Sequence, residues 1–227
     1  MRFFLTIFIF VLVGAFDILA QGNFLQDYRQ AGKPIEAKQD FEVEGSPYLL
    51  ANPSLIFVQL RNTTNYLKID RGFYNVLEER IEYSVDGKQL FMDPLLFEQF
   101  LLVVGGDTLT FKNGLTTQSP FSKKSYFQIL IRTTSASVWV KKNIKNVVNS
   151  PNATYGSTKQ KAIQDDFLYY IISPSGELEK FKPSKKFFVK RYPQWEVDIN
   201  EFIKRKETNF DRDADLRILI RWIEERL

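Results

Sequence analysis

Hydrophobic and polar residues alternate along much of the chain after residue 46, which is the pattern of strands with one buried face. The clearest case covers residues 80–92, where Ile81, Tyr83 and Val85 alternate with polar residues and Asp86-Gly87 separates them from a second run. Asp-Gly tolerates the positive φ angles of a two-residue hairpin turn. The pattern therefore predicts a hairpin with Ile81, Tyr83 and Val85 on its core side.

Similar short runs, separated by turn residues, predict about ten strands in all. They cover 55–60, 66–70, 80–85, 88–92, 100–104, 108–111, 126–132, 137–141, 167–172 and 177–181. Because no segment of helix length separates them, we expect neighbouring strands to pair antiparallel. Residues 143–166 are mainly polar and contain Pro151 and Gly156, which predicts a mobile loop.

The C-terminal segment changes to helical spacing. Pro183-Ser184 is typical of a helix start, with Ser184 as the N-cap of a short helix over 185–191. Two further apolar stripes follow, formed by Trp195, Ile199, Phe202 and Ile203 and then by Leu216, Leu219, Ile220, Ile223 and Leu227. We predict an α+β fold, with an antiparallel β-meander over 46–182, as an open barrel or a sandwich-like sheet. A C-terminal cap of two to three helices over 183–227 completes it.

The first twenty residues are typical of a secretory signal peptide. Arg2 precedes an apolar run over 3–16, and Asp17 and Ile18-Leu19-Ala20 follow. Cleavage is expected between Ala20 and Gln21, and the alternative is an uncleaved membrane anchor. The run is shorter than the roughly 20 apolar residues of a spanning helix. We therefore predict a secreted or periplasmic protein without a transmembrane span after signal removal, with a polar leader over 21–45.

Composition restricts the chemistry further, because the chain of 227 residues contains no His and no Cys. A thiolate nucleophile, a disulfide framework and a Ser-His-Asp triad are thereby excluded. No cofactor is expected. A nucleic-acid-binding protein is not expected, because the net charge is only +4 and the sequence has no recognisable nucleic-acid-binding motif.

Several sequence stretches resemble a family of uncharacterised secreted or periplasmic proteins from Gram-negative bacteria of the Bacteroidota type. They are 44–49, 66–68, 81–83, 90–94, 167–170, 192–193, 199–206 and 213–216, together with Leu178 and Lys185-Lys186. The resemblance covers most of the mature chain, and around 149–166 the chain has a longer and more polar insert. It implies a location in or beyond the cell envelope and implies no activity.

Acidic residues suggest two kinds of site. Asp211, Asp213 and Asp215 have the spacing that begins a calcium loop, but Leu216 and Trp222 occupy the positions of the required Gly and bidentate carboxylate. A role at the start of the last helix is the better interpretation, and no metal site is predicted.

A pair of carboxylates could also hydrolyse glycans. The candidates are Glu78, Glu79, Glu82, Asp93, Asp165 and Asp166.

Basic residues cluster at the start of the helical segment. The candidate binding patch comprises Lys182, Lys185, Lys186, Lys190 and Arg191. It would suit an envelope protein or an anionic glycan or lipid surface, although such a run is more often a solvated helix face. The 21 Phe and 10 Tyr residues either fill the core or line a cavity for an apolar ligand.

The leading hypothesis is a non-catalytic secreted or periplasmic protein that acts through surface contacts and has no assigned catalytic residue. The alternatives are a carrier of an apolar ligand in a β cavity and a carboxylate-based hydrolase of envelope glycans. The partner and the oligomeric state do not follow from the residues.

Overall fold

The structure, a computed structural model, describes residues 32–35, 43–134, 136–150 and 161–227. The predicted signal segment with its cleavage site at Ala20 and Gln21 lies outside these residues, as does most of the polar leader. The described part of that leader contributes two strands of two residues each, β1 and β2. No helix in the described residues is long and apolar enough to cross a membrane.

The described chain forms one sheet of twelve strands, followed by helices. The strands are β1 (Lys33–Pro34), β2 (Val43–Glu44), β3 (Ser54–Leu60), β4 (Tyr66–Asn75), β5 (Arg80–Val85), β6 (Lys88–Met92), β7 (Phe97–Val104), β8 (Asp107–Lys112), β9 (Phe127–Arg132), β10 (Val138–Asn149), β11 (Lys161–Ile172) and β12 (Leu178–Phe181). The helices are α1 (Lys185–Arg191), a 3₁₀ turn (Pro193–Trp195), α2 (Glu196–Lys206) and α3 (Asp213–Glu224). The predicted α+β fold class, with a large open sheet and C-terminal helices, is confirmed.

The strand order departs from a simple meander at one place. Along the sheet it reads β1-β6-β5-β4-β3-β7-β8-β9-β10-β11-β12, so β7 pairs with β3 and not with β6, which precedes it in the chain. Apart from the short parallel contact between β2 and β11, the pairings are antiparallel. The chain therefore builds β3 to β6 outward on one side and then returns to extend the sheet on the other.

The half of the sheet from β3 to β8 curls around its own aromatic core. The ring of Tyr74 on β4 lies 5.2 Å from the ring of Phe111 on β8 and 4.9 Å from the ring of Phe100 on β7. In a flat sheet, β4 and β8 would be about 14 Å apart, because neighbouring strands are spaced by about 4.8 Å. The curl brings these rings together and buries Phe100 and Phe111 almost completely.

The other half, from β9 to β12, carries the helices on one face. Alternate residues of β10 point to opposite faces, so Trp139 and Lys141 face the helices, and Val138, Val140 and Lys142 face away. Trp139 belongs to the core cluster shared with the helices, and Val138 and Val140 belong to a separate cluster with Phe127. The helices thus pack on a defined side of the sheet.

The prediction of a loop over 143–166 is wrong for the part that the structure describes. Strands β10 and β11 pair without a register shift from Val138↔Ile172 to Asn149↔Lys161, so residues 143–149 and 161–166 form a long two-stranded ribbon. Many of its side chains are exposed, which explains the polar sequence. Backbone hydrogen bonds, rather than an alternating apolar face, define these strands.

Candidate functional site

Helix α1 begins where the sequence predicts. The backbone N–H of Phe187 donates to the Ser184 side-chain oxygen (3.2 Å), which satisfies one of the free donors of the first turn. The helix has only seven residues and is too short to be stable by itself. Its conformation must therefore depend on its contacts with the sheet.

The apolar side of α1 provides those contacts. Phe188 is fully buried, and its ring stacks on Trp139 of β10 with centroids 5.9 Å apart and planes 9° from parallel. Phe187 stacks on Phe181 of β12 with centroids 4.8 Å apart. These stacked rings fix both the position of α1 and its rotation about its own axis.

The opposite side of α1 is basic. Lys185, Lys186 and Lys190 are exposed on this side, and exposed Lys182 immediately precedes the helix. We call these four residues the basic face. Among the described residues, the ion pairs do not include any of these four lysines. The basic face therefore presents its positive charge to solvent from a rigid support.

Arg191, which the sequence groups with these lysines, has a different role in the structure. Its Nη1 donates to both carboxylate oxygens of Glu179, at 2.6 and 2.7 Å, and its guanidinium lies 5.6 Å from the Trp139 ring. The side chain thus ties α1 to β12 and neutralises an acidic residue beside the basic face. Arg191 is exposed like the four lysines, but its charge is compensated by Glu179, whereas theirs are outside the ion pairs of the described residues.

Asp213, in the first turn of α3, connects that helix to the sheet. Its carboxylate pairs with Lys141 Nζ (3.1 Å) and accepts hydrogen bonds from Tyr169 Oη (3.0 Å) and Gln128 Nε2 (3.2 Å). Burial and this carboxylate raise the pKa of Tyr169 above its ordinary value. Asp215 accepts from the Asn209 backbone N–H (3.0 Å). Both aspartates therefore act in the local structure of the helix start.

No group of three or more acidic side chains that could hold a metal is present in the described residues. Four of the carboxylates considered for glycan hydrolysis each contact a cationic side chain. These pairs are Glu79 with Lys142, Glu82 with Arg80, Asp93 with Lys33 and Asp165 with Lys145. The hydrogen bond from Lys33 lowers the pKa of Asp93. Asp166 accepts from the Phe167 backbone N–H, and Glu78 is exposed.

Comparisons of the chain with family models, curated proteins and solved structures found no match. The resemblance to secreted Bacteroidota proteins therefore stays a prediction. Any functional conclusion has to rest on this chain's own residues.

The structure also brings together a pair that the sequence interpretation did not consider. Lys142, on the face of β10 that points away from the helices, contacts Glu79 in the turn between β4 and β5. The sequence does indicate that Lys142 faces the core, because it continues the alternating positions occupied by the apolar residues Val138 and Val140. Its partner could not be predicted, since Glu79 lies 63 residues earlier in the chain.

Proposed function

We propose that the protein is a non-catalytic, exported binding module that attaches to an anionic glycan or lipid surface through the basic face of α1. The supporting observation is that four exposed lysines lie outside the ion pairs of the described residues. Three of them are on a helix that Phe188 and Trp139 fix to the sheet, and Lys182 lies three residues before it. A rigid cluster of uncompensated charge is what electrostatic attachment requires.

The charge around the basic face favours this proposal over a merely solvated helix. The nearest strand carries Glu179, which could have neutralised a lysine, but Arg191 binds both of its oxygens. At the end of α2, Lys204, Arg205 and Lys206 also lie outside the ion pairs of the described residues, but Glu201 and Glu207 are close to them in sequence and reduce the local net charge. The uncompensated positive charge is thus greater at α1.

The expected affinity is modest. A lysine near an anionic membrane surface contributes about 1 kcal/mol, so four contribute about 4 kcal/mol, equivalent to a dissociation constant of about 1 mM. Such binding suits reversible attachment to a surface that presents many charges. At 0.1 M salt, dissolved ions screen the attraction between exposed charges more than about 10 Å apart, so binding should weaken steeply as the salt concentration rises.

The two alternative functions have less support. The aromatic rings of the curled half-sheet contact one another, which favours a filled core over a cavity for an apolar ligand. The pairing with Lys33 lowers the pKa of Asp93 and makes this carboxyl group a poor general acid, which disfavours a glycan hydrolase built on it.

A comparison of two triple variants tests the proposal. The first, Lys185→Gln/Lys186→Gln/Lys190→Gln, removes three charges from the basic face. The matched control, Lys204→Gln/Arg205→Gln/Lys206→Gln, removes three charges from the end of α2. Sedimentation with phosphatidylcholine vesicles with and without phosphatidylglycerol, and with an acidic polysaccharide, separates lipid from glycan binding.

We expect the wild type and the control to bind one of these anionic probes at low salt, and the α1 variant to bind it at least about tenfold more weakly. Binding should disappear when phosphatidylglycerol or the acid groups of the polysaccharide are absent. Equal losses in the two triple variants, or no binding of the wild type to either anionic probe, would contradict the proposal. The latter outcome would favour an envelope protein as the partner.

A further inference from the structure

Lys142 is a charged residue at a buried position. Its side chain is only 7% exposed, and its ammonium lies 5.5 Å from the ring of Phe127 and 6.0 Å from the ring of Phe121. In such surroundings a charged amine has lost most of its hydration. Burial accordingly lowers the pKa of Lys142 to about 7.

The carboxyl group of Glu79 is held directly against this amine. Lys142 Nζ donates to Glu79 Oε1 and also to the backbone carbonyl of Tyr126 (3.0 Å). The other carboxyl oxygen, Oε2, accepts from the Ser125 hydroxyl (3.1 Å). Glu79 has a positive φ of 51°, so a specific turn conformation directs it to this position. An amine and a carboxyl group are therefore fixed in contact by three separate segments.

We propose that Lys142 and Glu79 condense in the folded protein to form an intramolecular amide, that is, an isopeptide cross-link. Proton transfer within the ion pair gives the neutral amine and the neutral acid. The lone pair of Nζ then forms a bond to Cδ of Glu79, and the bond from Cδ to Oε1 breaks. Oε1 leaves as water with two of the three protons of the original ammonium, so no oxidant, reductant or cofactor is required.

The surrounding groups favour each step. In water the ion pair is much more stable than the neutral amine and acid. In a low-dielectric site this difference is smaller, because the charges have lost hydration. Holding both reactants in contact replaces an encounter in solution, an effect that corresponds to effective concentrations of about 10⁵ M or more. The Ser125 hydroxyl is positioned to donate to the oxygen that becomes negatively charged when Nζ attacks.

Two lysine–carboxylate pairs with exposed acidic side chains lack these conditions. Lys145 lies 2.5 Å from Asp165, but the Asp165 side chain is 74% exposed. Lys68 lies 2.6 Å from Asp70, and both side chains are more than half exposed. Solvent therefore reaches these carboxylates and competes for their contacts with lysine. We expect the cross-link at Lys142 and at neither of these pairs.

The mass of the purified, folded chain tests the proposal directly. The wild type should be lighter than its calculated mass by one water. Trypsin should release a branched peptide in which residues 72–80 are joined to residues 142–145. Lys142→Arg keeps the positive charge but has no primary amine at this position, and Glu79→Ala has no carboxyl group, so both variants should show their full calculated masses.

Glu79→Gln provides a sharper control. Its carboxamide can lose ammonia where the acid loses water, and the product is chemically identical to the cross-linked wild type. The two proteins should therefore converge on the same mass. A wild-type chain with its full calculated mass and linear tryptic peptides would overturn the proposal. That measurement does not depend on whether any variant folds.

The rate of mass loss after folding tests the role of Ser125. Removing one donor to a developing oxyanion typically slows a reaction by about 10²-fold, so Ser125→Ala should accumulate the uncross-linked form, and Ser125→Thr should restore the rate. Ser84→Ala, at an exposed position of β5, is the control and should cross-link at the wild-type rate. Equal rates in all of these proteins would refute the role of Ser125.

Discussion

Replacement of Phe188 by alanine would test whether a single aromatic contact holds α1, and hence the basic face, on the sheet. Phe188 is fully buried, stacks on Trp139, and lies 6.1 Å from the ring of Phe210 in the turn between α2 and α3. Removing a buried phenylalanine ring loses the free energy gained when the ring leaves water, and it also leaves a cavity. Together these effects typically lower the free energy of unfolding by about 3–5 kcal/mol. Because the flanking rings are themselves packed on both sides, the site has little freedom to collapse.

For a chain of this size, each kcal/mol lowers the melting temperature by about 2–4 °C, so Phe188→Ala should lower it by about 6–20 °C. Urea unfolding followed by near-ultraviolet circular dichroism would also report the environment of Trp139. Val197→Ala is the control, because Val197 is 69% exposed on α2 and its truncation should change stability by less than about 0.5 kcal/mol. A cost of less than about 1.5 kcal/mol for Phe188→Ala would refute the assigned anchoring role.

Two further predictions concern buried polar groups. Glu82 is 5% exposed and accepts from Tyr48 Oη, Asn75 Nδ2 and Arg80 Nε, so Glu82→Ala should cost about 3–5 kcal/mol. Glu98 forms a longer, partly exposed pair with Lys112, so Glu98→Ala should cost less than about 1 kcal/mol. Similar costs for the two variants in urea unfolding would contradict this reasoning. Burial raises the pKa values of Tyr74 and Tyr126, and burial with Glu82 raises that of Tyr48 to about 12. Raised tyrosine pKa values stabilise the folded protein fully below the unfolded pKa of about 10, and this stabilisation is lost at higher pH. The free energy of unfolding should therefore fall above about pH 10. A constant value from about pH 9 to about pH 11.5 would contradict this prediction.

The structure agrees best with the sequence where local residues determine the backbone. In the hairpin of β5 and β6, Asp86 and Gly87 have φ values of 51° and 77°, as an Asp-Gly turn requires. Val85 pairs with Lys88, and Ile81 and Tyr83 are buried as predicted. The turn fixes the register here, and the register fixes which side chains reach the core.

The ribbon of β10 and β11 could not be predicted in the same way. Along 143–149 and 161–166, β2 is the only other strand of the described residues that pairs with the ribbon, and it does so only at Lys161 and Ala162. Both faces of the ribbon have exposed residues. The hydrophobic pattern reports burial, not backbone pairing, so a solvated ribbon and a polar loop have similar sequences. Extended pairing in this region depends on continuation of the register set in the buried part, from Val138 to Lys141.

Long-range pairing also determines two further features of the structure. The contact of β7 with β3 follows from the curl of the sheet around Phe100 and Phe111, and no local pattern indicates it. The contact of Lys142 with Glu79 depends on that curl, because the turn between β4 and β5 has to reach β10. A sequence can identify an inward-facing lysine, but only the assembled sheet identifies its carboxylate.

The two proposals can be separated because their residues lie on opposite faces of the same strand. Trp139 supports α1 and the basic face, whereas Lys142 points to the face that contacts Phe127 and Glu79. A Lys142→Arg chain that folds should therefore lack the cross-link but keep the wild-type affinity for anionic probes. Conversely, the triple glutamine variant of α1 should lose affinity but keep the reduced mass. If Lys142→Arg folded normally and also lost binding, the separation of the two faces inferred from the alternation along β10 would be wrong.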